Sequence, residues 1–276
     1  MKPVKSIFNF YLDSSIHVSL AVLAFTLATL YEFNFALEKS LLGFIFFATI
    51  TGYNFVKYAG IAGLHHRSLA KNLKLIQLFS LLSFGFFLFY LFQVSKPVIV
   101  TSTILGVLTL LYVVPFYNQK NLRNLYGLKV FIVALVWAGV TVLLPWVHFE
   151  PTFSADIWIS FLQRFLWVLV LIIPFEIRDL QYDSVSLGTL PQKFGIQKSK
   201  KLGYFLLALI LLLEGFKDDI SSEFLFSLTV MLMITGIFVK LSRKNQPAIY
   251  TSFWVEGIPI YWACFLMILK NYFFIS

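Results

Sequence analysis

The sequence predicts an all-α protein that crosses a membrane many times, and two observations support this prediction. First, 59% of the 276 residues are hydrophobic and only 13% are charged, whereas soluble chains carry about 25% charged residues. The mean hydropathy is +0.83, and this much apolar surface could not be buried in one soluble core. Second, apolar runs of about 20 residues, the length that spans a bilayer as a helix, recur along the whole chain.

Nine such runs predict nine transmembrane helices. The first follows Lys2 and Lys5, but its apolar core is too long for a cleavable signal peptide and no A-x-A-like site follows it. The seventh is short for a span. The single cysteine, Cys264, lies in the last run, so we expect neither an intrachain disulfide nor a cysteine-built metal site. The predicted spans are 15–33, 40–58, 73–93, 97–116, 125–147, 157–175, 202–215, 224–241 and 253–268.

Basic residues concentrate on one side of these spans. Cytoplasmic loops of membrane proteins carry such an excess, so we place the N-terminus in the cytoplasm and the C-terminus outside, in a bacterial inner membrane. The net charge of +9 therefore indicates orientation rather than nucleic-acid binding. The exceptions are Lys39, Lys96, Lys217 and Lys270 on the outer side and Arg164 within a span. The acidic residues on or near the outer side are Glu32, Glu38, Glu150, Asp156, Asp218, Asp219 and Glu223.

A carboxylate cluster follows the sixth predicted span, in the segment 175–195. Glu176, Asp179 and Asp183 stand at positions i, i+3 and i+7, so a helix would align them on one face. Carboxylates suit Mg²⁺, which takes one or two of them plus substrate oxygens, and basic side chains suit phosphates. Basic residues lie among and after these acids, which predicts a ligand that carries both metal and phosphate: Arg178, Lys193, Lys198, Lys200 and Lys201. Alternatively, the carboxylate cluster is only a solvated helix end, whose acidic side chains pair with basic ones such as Arg178. Glu176 could then pair with Arg164 or Lys129.

The same segment contains a longer motif. Asp179 and Asp183 are followed by Gly188, by Thr189-Leu190-Pro191 and by Gly195. The loop after the fourth span adds Tyr112, Pro115, Lys120 and Arg123. Together with the nine-span layout, these residues resemble the UbiA superfamily of intramembrane prenyltransferases. The resemblance covers nearly the whole chain, so we expect one domain over 1–276.

The resemblance implies nine helices around a cavity that opens to the cytoplasm. There a prenyl group would pass from a prenyl diphosphate to a hydrophobic acceptor, such as an aromatic or quinone-precursor molecule. Asp179 and Asp183 would act in catalysis by holding Mg²⁺, with Glu176 as a further candidate ligand. Candidate substrate-binding residues are Asn54, Tyr112, Lys120, Arg123 and Arg178. Aromatic side chains that could line a prenyl pocket are Tyr53, Tyr58, Tyr112, Tyr117 and Trp137.

The chain departs from the superfamily pattern in two places. The distance from Asp183 to Thr189 is one residue shorter than expected. More seriously, the first acidic motif, N-D-x-x-D-x-x-x-D after the second span, is eroded: Asn54 is present, but the acidic positions hold Phe55, Tyr58 and Ala62. Basic residues in the same segment, Lys57, His65, His66 and Arg67, could instead grip a diphosphate directly. Equally, they could form an ordinary basic loop, and adjacent histidines rarely share one metal ion.

Two other functions remain open at this point. The erosion of the first motif favours a non-catalytic protein that binds an isoprenoid or a quinone, while the retained second motif favours the transferase. A transporter would need ionisable residues in mid-membrane, and Arg164 and Glu256 are the candidates. The sequence has no P-loop, dinucleotide-binding or zinc-protease motif.

Overall fold

The computed structural model describes residues 2–58, 73–114, 122, 127–150, 152–182 and 188–273, with the backbone alone for 2–3 and 270–273. The described residues form helices and no strand, which confirms the all-α prediction. The helices are α1 Lys2–Asp13, α2 Ile16–Glu32, α3 Lys39–Tyr58, α4 Leu73–Leu91, α5 Lys96–Val113, α6 Lys129–Ala138, α7 Leu144–Phe149, α8 Ala155–Asp179, α9 Leu190–Glu214, α10 Ser222–Leu241 and α11 Ile258–Phe273, with π-helical turns at Gly139–Leu143 and Tyr250–Val255.

Among the described residues, seven helical segments are long and apolar enough to cross a membrane. An eighth results if α1 and α2, which meet at an angle of 57°, are taken together as one broken span. The count of nine is therefore not confirmed. The seven segments are Lys39–Tyr58, Leu73–Leu91, Lys96–Val113, Lys129–Phe149, Ala155–Asp179, Ser222–Leu241 and Tyr250–Leu269.

Helix α9 does not qualify as a span by its composition. It begins at Leu190, well before the seventh predicted run at 202–215, and its first half carries four lysines. Gly195 interrupts this helix with φ 79°, a left-handed conformation that costs glycine little. The sequence therefore predicted only the apolar half of a longer, kinked helix.

An aromatic cluster forms the core between α2, α6, α8 and α11. The Phe25 ring lies 5.3 Å from that of Trp167, 6.0 Å from Trp262 and 6.1 Å from Trp137. The indole N–H groups of Trp167 and Trp262 donate to Thr235 and Ser227, each at 3.1 Å. A bilayer core contains no water, so buried polar groups such as these indole N–H groups need hydrogen-bond partners within the protein.

Arg164 is buried beside this core and is satisfied by groups of α2 and by aromatic rings. Its Nη1 donates to the carbonyl oxygen of Phe25 at 2.8 Å, and its guanidinium lies 4.1 Å from the centre of the Phe25 ring. The Trp262 ring lies 5.2 Å away on another side. These contacts make Arg164 part of the packing between α2, α8 and α11.

Acidic residues meet at one end of the bundle, the end that the sequence places outside. Lys217 Nζ lies 2.6 Å from both Glu32 Oε1 and Glu214 Oε2, and Gln163 donates to Glu214 at 2.8 Å. The backbone N–H of Asp218 donates to Asp156 at 3.1 Å. The carboxyl ends of α2 and α9 are thus joined here to the start of α8. The candidate functional residues lie at the opposite end.

Candidate functional site

A large apolar cavity lies between α2, α3, α4, α5 and α6. Its volume is about 800 Å³, and aliphatic and phenylalanine side chains form most of its wall. Gly52 and Gly106 contribute bare backbone to the wall, and a Cβ added at either would meet no atom within 4 Å. A cavity of this size and lining suits a long hydrocarbon chain.

Three of the predicted aromatic residues line this cavity. Trp137 Nε1 donates a hydrogen bond of 2.5 Å to the Tyr53 hydroxyl, which links α6 to α3. Tyr112, in the last turn of α5, is buried and also lines the wall. Tyr58, by contrast, does not line the cavity. Since Tyr53 and Tyr112 lie near the carboxyl ends of their helices, they mark the polar end of the cavity.

Charged residues gather beyond Tyr53, where α8 ends. Two N–H groups of Arg178 donate to the carboxylate of its neighbour Asp179, at 2.7 Å and 3.2 Å. A third, on Nη1, donates to Thr251 Oγ1 at 2.5 Å. Glu256 interacts electrostatically with Arg178 and also with Lys57 of α3. We call these four residues the headgroup cluster: the ion pair Arg178–Asp179, and Lys57 and Glu256, which interact with each other only electrostatically.

A π-helical turn, Tyr250–Val255, carries Thr251 towards the headgroup cluster. Such turns occur often at functional sites. The turn is also tied to the first helices: His17 Nε2 donates to the Phe253 carbonyl at 2.9 Å, and the Tyr11 hydroxyl donates to His17 Nδ1 at 2.7 Å. The corner between α1 and α2 therefore packs directly on this turn.

The eroded first-motif segment holds the end of α1. The carbonyl oxygens of three consecutive residues, Leu12, Asp13 and Ser14, accept hydrogen bonds from Lys57 at 3.1 Å, Tyr58 at 2.8 Å and Asn54 at 3.1 Å. The last carbonyls of a helix have no partner within it, so these side chains supply the missing donors.

The Asn54 side chain makes two more hydrogen bonds. Its second N–H donates to Ser80 at 2.8 Å, and its oxygen accepts from Ser15 at 2.7 Å. Both amide donors of Asn54 are therefore occupied by protein groups, whereas the Lys57 ammonium has two N–H groups beyond the one that reaches Leu12.

Glu176 and Asp179 have different partners in spite of their helical spacing. Glu176 is buried, and its Oε2 accepts from the backbone N–H of Leu190, the first residue of α9, at 3.2 Å. It lines a second cavity of about 210 Å³ together with Lys129, Thr189 and Lys193. Glu176 thus ties the end of α8 to the start of α9, whereas Asp179 belongs to the headgroup cluster.

Two solved structures resemble this fold over nearly the whole chain. A UbiA homolog from Aeropyrum pernix K1 matches with a TM-score of 0.63 and 12% sequence identity, over 92% of this chain and 96% of that one. A digeranylgeranylglyceryl phosphate synthase matches with a TM-score of 0.58 and 17% identity, over 98% of this chain and 97% of that one. The chain has the UbiA fold. No family model matches the sequence, and no curated protein matches it at a significant level.

The UbiA fold brings together only part of the predicted site. Lys57, Arg178 and Asp179 meet in the headgroup cluster, and Tyr112 lines the cavity beside it. Glu176 and Asn54 lie at this end too, each bound to protein groups. The predicted residues that lie outside the described part of the chain are His65, His66, Arg67, Tyr117, Lys120, Arg123 and Asp183.

Two residues had not been predicted for this site, Glu256 of the headgroup cluster and Thr251, which binds Arg178. Glu256 was considered only as a transporter residue, and Thr251 carried no signal at all. An acidic residue inside an apolar run was the only signal that the sequence offered.

Magnesium, which the UbiA resemblance implies, needs hard oxygen donors. Within the described ranges, no three His, Cys, Asp or Glu side chains come together as a ready-made metal site. Asp179 nevertheless fits the way Mg²⁺ binds beside substrates, because the ion takes one or two carboxylates and completes its shell with phosphate oxygens and water. The Asp179 side chain is partly exposed, so its oxygens are accessible to such an ion.

Proposed function

We propose that this protein is an intramembrane prenyltransferase. It transfers a prenyl group from a prenyl diphosphate to a hydrophobic acceptor of the aromatic or quinone-precursor class, with the help of Mg²⁺. One observation carries the proposal: in a UbiA fold, an apolar cavity of about 800 Å³ reaches Tyr53 and Val56 in the last turns of α3, next to Lys57 of the headgroup cluster. The cavity suits the prenyl chain, and the cluster suits the diphosphate.

The cationic side chains would bind and orient the diphosphate. Lys57 offers two N–H groups, and Arg178 could exchange its bonds to Asp179 and Thr251 for phosphate oxygens. Asp179, with Asp183, would hold Mg²⁺, which when bound neutralises the charge of the departing diphosphate. Asn54, Arg67, Lys120 and Arg123 remain predicted diphosphate contacts, and Glu176 a predicted further metal ligand.

The apolar wall would protect the reacting carbon. When the bond between the prenyl carbon and the diphosphate oxygen breaks, the electron pair leaves with the diphosphate and the allylic carbon becomes positive. The acceptor then forms a bond to this carbon and loses a proton. Tyr53, Tyr112 and Trp137 line this part of the cavity, where aromatic faces stabilise a cation and keep water away.

A second candidate function is non-catalytic binding of an isoprenoid or a quinone. One specific observation favours it: the first-motif segment uses Asn54, Lys57 and Tyr58 to hold the end of α1. A protein that only stores or presents an isoprenoid would need the cavity but no metal-bound diphosphate.

The test is a binding and turnover assay on the full-length protein in lipid nanodiscs. A non-hydrolysable prenyl thiolodiphosphate, in several chain lengths, should raise the melting temperature more with Mg²⁺ than without it. Prenyl diphosphates offered with aromatic acids, naphthoates and other hydrophobic acceptors should then yield prenylated product. Stabilisation by prenols or quinones without product from any diphosphate would favour the non-catalytic function. No stabilisation by any of these ligands would contradict both functions.

A further inference from the structure

Helix α1 has an apolar stripe along one side and polar side chains on the other. The stripe consists of residues at the spacing i, i+3, i+4 and i+7, which a helix brings to one face: Val4, Ile7, Phe8 and Tyr11. The exposed polar side chains on the other face are Lys5, Ser6 and Asn9. This division indicates that the two sides of α1 have different surroundings.

The inner half of the apolar stripe, Phe8 and Tyr11, packs on the bundle. The Phe8 ring lies 5.3 Å from that of Phe253, in the π-helical turn before α11, and the Tyr11 hydroxyl donates a hydrogen bond to a side chain of α2. The outer half consists of Val4 and Ile7, each of which is 70% exposed. The apolar stripe therefore continues beyond the edge of the bundle.

The contacts of α1 place it at the level where the spans end. Its last carbonyl groups accept hydrogen bonds from Lys57 and Tyr58, in the last turn of the spanning helix α3. Trp254 lies beside Phe253, with 5.1 Å between the ring centres, and is 47% exposed. Because tryptophan is enriched where a bilayer meets water, the outer half of α1 begins at the height of a bilayer surface.

Helix α1 is unsuited to crossing the bilayer. It meets α2 at 57°, and its 12 residues extend about 18 Å, whereas the hydrocarbon layer is about 30 Å thick. As the first part of a broken span it would carry Lys5, Ser6 and Asn9 into hydrocarbon, which is costly. Its charges suit the surface instead, because Lys2 and Lys5 stand in the outer half, where negatively charged headgroups attract them, and Asp13 stands at the inner end.

We propose that α1 is an interfacial helix that lies along the bilayer surface and binds anionic phospholipid. Val4 and Ile7 insert at the boundary between headgroups and acyl chains, and Lys5 lies among the lipid phosphates. The bilayer thereby holds the helix to which Lys57 and Tyr58 are bound. This role of α1 is independent of whether the protein transfers a prenyl group.

The test is site-directed spin labelling of the full-length protein in nanodiscs of phosphatidylcholine and phosphatidylglycerol. Cys264, the single cysteine, is replaced by alanine, and one nitroxide is attached through Val4→Cys or Ile7→Cys on the apolar stripe. Oxygen, which dissolves among acyl chains, should relax these two labels more strongly than water-soluble Ni²⁺-EDDA, and the ratio should correspond to a depth of about 5–10 Å. Labels at Ser6→Cys and Asn9→Cys are the matched controls and should show the opposite order.

Three other results would overturn the inference. Equal access of Ni²⁺-EDDA to all four labels would show that α1 stands away from the bilayer. A preference for oxygen at all four positions would identify α1 as part of a broken span. Low access of both reagents to the labels at Val4 and Ile7 would show that protein, such as a second copy of this chain, covers the stripe.

A second measurement shows whether the bilayer holds α1. In the chain labelled through Asn9→Cys, the added pair Val4→Ser and Ile7→Ser should narrow the lines of the nitroxide spectrum, because α1 loses its contact with lipid and moves faster. Leu37→Ser removes an equally exposed apolar side chain at the opposite end of the bundle and should leave the lines unchanged. Unchanged lines in the Val4→Ser and Ile7→Ser chain would show that protein contacts alone hold α1, and the inference would fail.

Discussion

The Tyr58 hydroxyl donates a hydrogen bond of 2.8 Å to the carbonyl oxygen of Asp13. This contact joins the last turn of α3 to the end of α1, at a position where the first UbiA motif has a carboxylate. A carboxylate has no hydrogen to donate, and at this point it would face carbonyl oxygens of like partial charge. Tyrosine at this position therefore allows an attachment of α1 that an acidic side chain would not.

Restoring an acidic residue at this position should destabilise the protein. Tyr58→Asp leaves the Asp13 carbonyl without a donor and adds a repulsive charge, so we expect a loss of about 1–3 kcal/mol in the free energy of unfolding. Tyr58→Phe removes only the hydrogen bond and should cost about 1 kcal/mol. Denaturant unfolding in mixed micelles measures both. If Tyr58→Asp and Tyr58→Phe were equally stable, the carbonyl groups at the end of α1 would not disfavour an acidic side chain at this position.

The sequence predicted the bounds of several helices closely, but it did not predict the contacts between the end of α3 and the end of α1. Apolar runs follow from helix length and bilayer thickness alone, so 40–58 and 224–241 lie within two residues of α3 and α10. That Asn54 and Tyr58 hold the end of α1 depends on the bend at Ser15, whose φ of 65° is unusual for a residue other than glycine. No sequence pattern signals such a bend.

The position of Glu256 was equally hidden. Its charge acts on Lys57, which lies about two hundred residues earlier in the chain, and the packing of the last span against the rest of the bundle brings the two into electrostatic range. The helical spacing of Glu176 and Asp179 was predicted correctly. Their separation into two environments follows from the start of α9, whose first N–H group binds Glu176.

Asp179 should be required for turnover. In Asp179→Ala, Arg178 loses its carboxylate partner and the proposed metal loses a ligand, so we expect diphosphate release from a prenyl diphosphate to fall by about 10²–10³-fold. Asp183→Ala should behave alike. A suitable assay is the hydrolysis of the prenyl diphosphate, in which water reacts in place of the acceptor, because it needs no knowledge of the acceptor. Asp219→Asn, exposed at the opposite end, is the control for charge loss alone. Wild-type release by Asp179→Ala would remove this residue from the mechanism.

Lys217 should be essential for stability rather than for function. Its ammonium neutralises Glu32 and Glu214, and the three side chains are only 2%, 8% and 2% exposed. Lys217→Met leaves two buried carboxylates unpaired and should cost about 3–5 kcal/mol. Adding Glu32→Gln and Glu214→Gln to the same chain should restore most of this loss, since no buried charge is then left alone. Chemical unfolding of wild type, Lys217→Met and the triple variant measures these changes, and the control Lys39→Met, at an exposed helix start, should unfold like wild type.

Glu38 should make a small, pH-dependent contribution to stability. Hydrogen bonds from Ser40 and His148 hold the pKa of the Glu38 carboxyl below its ordinary value of 4.5. A carboxyl whose pKa is lowered on folding stabilises the fold above its unfolded pKa and loses this effect as the pH falls through the folded value. Glu38→Gln should therefore unfold more easily than wild type at pH 6, and the difference should shrink as the pH falls below 4.5 and vanish once Glu38 is protonated in the folded protein. The side chain is 42% exposed, so at most about 1 kcal/mol is expected. A difference that grows on acidification would contradict the assigned direction.

The volume of the apolar cavity should limit the length of the prenyl chain. Gly106 lines the cavity, and no atom lies within 4 Å of an added Cβ, so a larger side chain enters empty space instead of displacing a neighbour. Gly106→Phe should therefore preserve folding, leave short prenyl thiolodiphosphates bound normally and weaken the longest analogues by tenfold or more, about 1.4 kcal/mol. Gly85→Phe is the matched control, because Gly85 has equally open surroundings on α4 but does not line the cavity. An equal loss of affinity for short and long chains in Gly106→Phe would show that the chain does not occupy this cavity.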